Sequence, residues 1–180
     1  FTSGTTGRAK GVVTTHGQNI HAFDVFSDIL GLDETDHYLI INPFFHSFGY
    51  KAGWLAALLR GATVYPMAVF DVPAVLKAVS THQISVMPGP PTLFQSILMH
   101  PDRDAFDISS LKKATTGAAI IPTQLIVAMR ETLGIDTVIT AYGLSETCGL
   151  VTMCRRGDAP DIIAKTSGRA IPEVEVGIMR

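Results

Sequence analysis

Six short apolar runs alternate with longer amphipathic stretches along this chain, and that alternation leaves few folds open. The runs at 11–14, 38–41, 63–65, 84–87, 113–115 and 137–140 are rich in Val, Ile and Tyr, which predicts strands. Brief, near-continuous apolarity of this kind suits strands covered on both faces. Between them, 16–30 and 48–59 read as helices, the second stopped by Gly61. Asp71 can cap a third, in which Val72, Val75, Leu76 and Val79 repeat at i, i+3, i+4 and i+7. A shorter helix is expected over 91–99. A last one takes Pro122 in its first turn and aligns Leu125, Ile126, Met129 and Leu133 before Gly134. The alternation predicts an α/β fold, a mostly parallel sheet with helices on both faces. Ligands of such sheets lie beyond the carboxyl ends of the strands, so the strand-to-helix loops are the places to search.

Bulk properties narrow the class. A chain of 180 residues, 47% hydrophobic and 17% charged, suits one globular domain. Its formal charge of −2, from 14 basic and 16 acidic residues without runs of either sign, offers no basic face for nucleic acid. No apolar run approaches the roughly 20 residues that span a bilayer. Cys148 and Cys154 form neither a disulfide framework nor a zinc ligand set, and read as reduced thiols. With no signal-peptide pattern in the sequence, the expectation is a cytoplasmic protein. The chain starts at Phe1 directly before a Gly/Thr-rich loop and stops at Arg180 after the strand-like run 174–179, so a fragment of a larger domain is expected.

Three loops carry chemistry. The first runs through Thr2, Ser3, Gly4, Thr5, Thr6, Gly7, Arg8, Ala9, Lys10 and Gly11. Its glycines let the backbone approach an anion, its hydroxyls and N–H groups donate, and Lys10 adds positive charge. It is not a Walker A loop, because Lys10 stands three positions after Gly7 and no Ser or Thr follows it. A polyphosphate cradle and a flexible surface loop both fit this segment taken alone. The second loop, Thr140, Ala141, Tyr142, Gly143, Leu144, Ser145, Glu146 and Thr147, offers a flat ring for a base, a hydroxyl and a hard oxygen ligand for Mg²⁺. A solvated Glu and a half-buried Tyr at a strand end is the plainer alternative. The third, Thr116, Gly117, Ala118 and Ala119, leaves room for something flat against the backbone, or serves tight helix–sheet packing.

Taken in order, the three loops resemble the adenylate-forming superfamily of acyl-CoA synthetases, peptide-synthetase adenylation domains and luciferases. Pro43, Phe44, Phe45 and His46, and the stretch Ser167, Gly168, Arg169, Ala170, Ile171 and Pro172, extend the resemblance over essentially the whole chain. It implies that Thr2, Ser3, Gly4, Thr5, Thr6, Gly7 and Lys10 hold the β- and γ-phosphates of ATP. Gly117, Ala118, Ala119 and Tyr142, with Ala141, Gly143 and Leu144 beside it, would enclose adenine. Ser145 would contact the α-phosphate, Glu146 would bind Mg²⁺, and His46 would stand beside the acyl tunnel. Ala9 replaces the family's usual Pro and Ser145 its usual Thr; the first loosens the loop modestly and the second keeps the hydroxyl.

The same resemblance implies the reaction: a carboxylic acid is activated as an acyl-adenylate with loss of pyrophosphate, and coenzyme A, as co-substrate, then takes the acyl group. An amino-acid substrate would need a carboxylate for its ammonium, and residues 42–54 contain no acid, so an uncharged acyl tail is expected. Residues 41–53 and 87–92 most resemble fatty-acid-type CoA ligases of actinobacteria, in particular those acting on a bicyclic propanoate left by steroid ring degradation. Tyr50 and Lys51 offer polar contacts to ring ketones of such an acid, or Lys51 projects to solvent. Two other readings stay open: an adenylation domain loading a carrier protein, and a nucleotide-binding module without catalysis. The ribose-binding Asp and the lysine of the small C-terminal domain lie beyond Arg180 in the family pattern, so the fragment alone is expected to be inactive.

Overall fold

Thr15 starts the first helix, α1 (His16–Leu30), through a capping box in which its hydroxyl accepts from Gln18 N–H and Gln18 accepts from Thr15 N–H. Gly31 ends it at φ 76°, a left-handed conformation that favours glycine. The structure, a computed structural model, describes residues 7–179. After β1 (His37–Ile40) the chain winds through α2 (Ser47–Gly49), a π-helical segment Tyr50–Leu55 and α3 (Ala56–Arg60). Then follow β2 (Thr63–Pro66), α4 (Val72–His82), β3 (Val86–Gly89), α5 (Pro91–Leu98), β4 (Lys113–Thr116), α6 (Thr123–Glu131) and β5 (Thr137–Ile139). As expected from the sequence, Asp71 caps α4, accepting from Ala74 N–H at 2.9 Å.

Strands β2-β1-β3-β4-β5 form one sheet, every neighbouring pair parallel. Helix α1 packs with α3 and the π-helical segment as one layer, while α4, α5, α6 and a later helix, α7 (Pro160–Lys165), pack in succession as another. Between the layers lies one continuous core that includes Phe23, Phe26, Leu39, Ile40, Met87, Phe94 and Ile126. A polar node lies beside it. Lys113 Nζ meets Asp36 Oδ2 at 2.7 Å and Gly31 O at 2.6 Å, and Ser85 Oγ donates to Asp36 Oδ1 at 2.7 Å. Asp36 is 3% exposed, so its charge is neutralised where water cannot reach it.

The structure corrects the sequence reading in four places. Residues 11–14 are not a strand: Val13 is 96% exposed, and Thr15 turns directly into the helix cap. The run 174–179 is not one either, with Ile178 and Met179 facing solvent. The strand expected at 84–87 lies at Val86–Gly89, because Ile84 N–H still closes the end of α4 on Val79 O. Helix 48–59 is not uniform, since its second and third turns are π-helical. The sequence reading also missed a second, antiparallel sheet of β6 (Ala141–Tyr142), β7 (Thr152–Met153) and β8 (Arg169–Ala170).

Candidate functional site

The carboxyl ends of β1, β4 and β5 open onto a cavity of about 590 Å³. Its lining comes from α1 (Phe23, Phe26), from the turn after β1 (His46, Ser47, Phe48) and from the end of β4 (Thr115, Thr116, Gly117, Ala118). The stretch following β5 adds Ala141, Tyr142, Gly143, Leu144, Ser145 and Glu146. Four segments far apart in sequence thus converge at the end of the sheet where ligands of parallel sheets bind.

Each segment is fixed by local chemistry. Tyr142 lies on β6, pairs with Thr152, and accepts from Val151 N–H at 2.8 Å, which holds its ring half-exposed over the cavity. Gly143 has no room for a side chain: a Cβ there would lie 2.1 Å from Gly149 O. Beyond it, Ser145–Thr147 forms a single 3₁₀ turn. Thr147 Oγ1 accepts from Leu144 N–H at 2.9 Å, and Gly149 N–H donates to Leu144 O at 2.8 Å. Ser145 and Glu146 are exposed on this closed loop, at the cavity lining. Gly168 at φ 78° approaches the Met153 backbone so closely that only glycine fits, which ties the stretch 167–172 to β7.

On the facing wall, His46 caps α2, its Nδ1 accepting from Phe48 N–H at 3.1 Å. In the neutral ring that leaves the proton on Nε2. Gly49 lets this turn close, since a Cβ would fall 2.2 Å from Pro43 O. At the end of β4, Ala118 adopts φ 62°, a left-handed backbone that costs a non-glycine residue energy and recurs at ligand sites.

The structure therefore brings together His46, Gly117, Ala118, Ala141, Tyr142, Gly143, Leu144, Ser145 and Glu146. Ala119 is exposed and does not line the cavity. Gly7 and Lys10 are exposed and stand outside the lining. Thr2, Ser3, Gly4, Thr5 and Thr6 lie outside the described residues.

Sequence reasoning missed the inner wall. Through the parallel registers Tyr38↔Val86↔Lys113, residues Tyr38, Lys113 and Thr115 share one face of the sheet. That face looks at the π-helical segment, because Tyr38 hydroxyl donates to Ala52 O at 2.6 Å. Thr115 thus stands with Phe23, Phe26 and Ala52, 2% exposed, and its hydroxyl has no partner among the described residues; nor has that of Thr116. An unpaired buried hydroxyl costs about 1–3 kcal/mol, so this wall is set to meet a polar atom that the described residues do not supply. Lys51 answers to neither expected role. It is 5% exposed rather than solvated, lies outside the cavity lining, and donates to Cys148 O at 3.0 Å. The wider π-helical turn changes which residues face inward.

No group of three or more His, Cys, Asp or Glu residues able to hold a metal occurs among the described residues. Glu146 is therefore a lone carboxylate, which suits a cation held mainly by phosphates and water. No helix among the described residues is long and apolar enough to cross a membrane.

Comparison with known proteins agrees with this geometry. The chain is 56% identical over 178 residues to a 3-(7a-methyl-1,5-dioxo-octahydro-1H-inden-4-yl)propanoyl:CoA ligase of Rhodococcus jostii, covering 99% of this chain and 34% of the relative. It is 50% identical to the ligase of the same name from Mycobacterium tuberculosis, covering 99% and 35%. The chain thus spans about a third of the length of these relatives. The o-succinylbenzoate coenzyme A synthetase of Bacillus subtilis, solved with ATP and magnesium, superposes with a TM-score of 0.82 at 28% identity, covering 99% of this chain and 36% of that one. A model of the AMP-binding enzyme family matches residues 1–179, and this protein belongs to that family.

Proposed function

We propose that this chain is part of the large N-terminal domain of an ATP-dependent acid–CoA ligase, completed by a small C-terminal domain. The observation that carries the reading is the single cavity where an aromatic ring, a small-residue strand end, a serine, a glutamate and a histidine converge beside an apolar wall.

ATP enters with its adenine between Tyr142 and the backbone of Gly117 and Ala118, a wall whose small side chains leave the base room. Ser145 hydroxyl donates to the α-phosphate. Glu146 is the residue that would hold Mg²⁺, which when bound screens phosphate charge. The loop 2–7 and Lys10 receive the β- and γ-phosphates. The carboxylate of the acid attacks the α-phosphorus and pyrophosphate leaves, so the barrier is set by in-line positioning and charge neutralisation. The thiol of coenzyme A then displaces AMP, giving the thioester. His46 stands where the acyl group passes.

The acid proposed is an oxygenated bicyclic propanoate of the kind named for the two ligases above, handled in the cytoplasm. The apolar wall of Phe23, Phe26 and Ala52 accommodates its rings, and the free Thr115 hydroxyl gives a ring oxygen a partner. Pyrophosphate release by the full-length protein with a panel of carboxylic acids tests this reading. Release with the bicyclic acid, followed by CoA-dependent AMP formation, is the expected result. Release only with amino acids, or with none of the acids, refutes it.

A further inference from the structure

We propose that Lys51 is a positioning residue that holds the turn bearing Ser145 and Glu146 from beneath. The proposal rests on the reading above of that turn as the phosphate and Mg²⁺ end of the cavity.

A buried ammonium is expensive unless a carboxylate accompanies it. Lys51, at 5% exposed, makes no ion pair with any described residue. Its hydrogen bond goes to a backbone carbonyl, that of Cys148, at 3.0 Å, and its ammonium lies 5.4 Å from the centre of the Tyr50 ring. Core packing alone gives no reason for a lysine here, since a methionine would fill similar space without a charge to desolvate.

The acceptor explains the choice. Cys148 ends the 3₁₀ turn Ser145–Thr147 and sits at φ 59°, a left-handed backbone that a non-glycine residue adopts only under constraint. Carbonyls at the end of a helical turn carry partial negative charge, and a cation there is favourable. The Lys51 ammonium thus fixes the strained residue two positions after Glu146. Its other end is anchored in the π-helical segment Tyr50–Leu55, whose Ala52 lines the apolar wall of the same cavity. π-Helical turns recur at functional sites, and this one turns Lys51 inward to the Cys148 carbonyl instead of to solvent. Lys51 therefore sets the height of Ser145 and Glu146 against whatever the apolar wall holds in place.

The test compares the full-length protein with Lys51→Met and Lys51→Arg. Calorimetric titration with Mg·ATP and acid-dependent ATP–pyrophosphate exchange are measured on each. In Lys51→Met, Mg·ATP binding should weaken about 10-fold and exchange turnover fall about 10- to 100-fold, as expected when a reacting group shifts by about 1 Å. The Mg²⁺ concentration for half-maximal exchange should rise, while KM for the acid stays within about 3-fold. Lys51→Arg, which keeps a charged donor, should recover most of the loss. A folded Lys51→Met with wild-type Mg·ATP affinity and Mg²⁺ dependence overturns the proposal, and so does a defect confined to the acid KM. If Lys51→Met does not fold, Lys51→Gln carries the same comparison with the same opposing outcomes. A wild-type protein that binds Mg·ATP yet exchanges with no acid refutes the ligase reading instead, and the binding arm still decides the role of Lys51.

Discussion

Replacing Gly143 by alanine isolates the contact that shapes the Tyr142 end of the cavity. The added Cβ would lie 2.1 Å from Gly149 O, 2.2 Å from Gly149 C and 2.5 Å from Leu150 N, all backbone atoms without a rotamer to yield. Carbon contacts settle near 3.5–4.0 Å, so the two strands of the loop must part by about 1 Å or more. That opening pulls on Val151 N–H to Tyr142 O and on Gly149 N–H to Leu144 O, each 2.8 Å. Overpacking with these two bonds weakened should cost about 2–4 kcal/mol of stability. A 1 Å displacement of Tyr142, Ser145 and Glu146 should lower adenylation about 10²-fold. Thermal melting and ATP–pyrophosphate exchange on the full-length protein measure the two effects. Gly117→Ala is the control: its Cβ would meet Thr140 Oγ1 at 3.5 Å and Ala141 O at 3.7 Å, ordinary contacts, so its melting temperature should hardly move. Gly143→Ala with wild-type melting and wild-type exchange would refute the close-approach argument.

Other sites yield narrower expectations. Glu146→Gln should weaken Mg·ATP binding while leaving metal-free ATP bound no worse than in the wild type, because removing the carboxylate also removes a repulsion; titration with and without Mg²⁺ reads both signs. Thr115→Val, nearly isosteric, should raise KM for an oxygenated bicyclic acid by about 5- to 100-fold, the loss of one buried hydrogen bond, and leave a plain hydrocarbon acid unaffected in the same assay. Lys113→Met should destabilise the fold by about 3–5 kcal/mol in urea titrations, since Asp36 would be left charged and buried. Burial pushes the Cys154 thiol up, so stability should decline as pH rises above the ordinary thiol range, where the unfolded chain loses that proton first; pH-dependent melting follows it.

Helix α1 was legible to its ends because Thr15, Gln18 and Gly31 are local signals. Strand β3 was misplaced because Pro88 reads as a stop, yet it lies within the parallel register opposite Thr115. Strands β6, β7 and β8 have two residues each, too few for any period to show, and they exist because Gly143 and Gly168 permit close backbone approach. Among the candidate site residues, those with distinctive chemistry in loops (His46, Tyr142, Ser145, Glu146) were singled out from the sequence, and one cavity gathers them. Thr115 and Lys51 were not assigned their places, since what matters about them is a missing partner in one case and a backbone carbonyl 97 positions away in the other. Neither leaves a trace in spacing.

The charge of the cavity closes the physical argument. Among the described residues, Glu146 is its one carboxylate, and no lysine or arginine lines it. Lys51, the nearest buried cation in sequence to the facing wall, is committed to Cys148 O, where it steadies the loop rather than meeting a ligand. A lining of this sign repels a triphosphate and a carboxylate alike, and the proposed reaction has to bring the two together. Under the proposed function, the cavity by itself would serve to recognise and orient the base and the acyl group. Neutralisation would then come from a divalent cation held at Glu146 and from Lys10, which stands outside the lining. Under the proposed function, Tyr142 and Thr115 would select which base and acid bind, whereas Glu146 and Lys10 would serve Mg·ATP binding and turnover. Substitutions in the first pair should then move KM values, and those in the second should move turnover and its dependence on Mg²⁺.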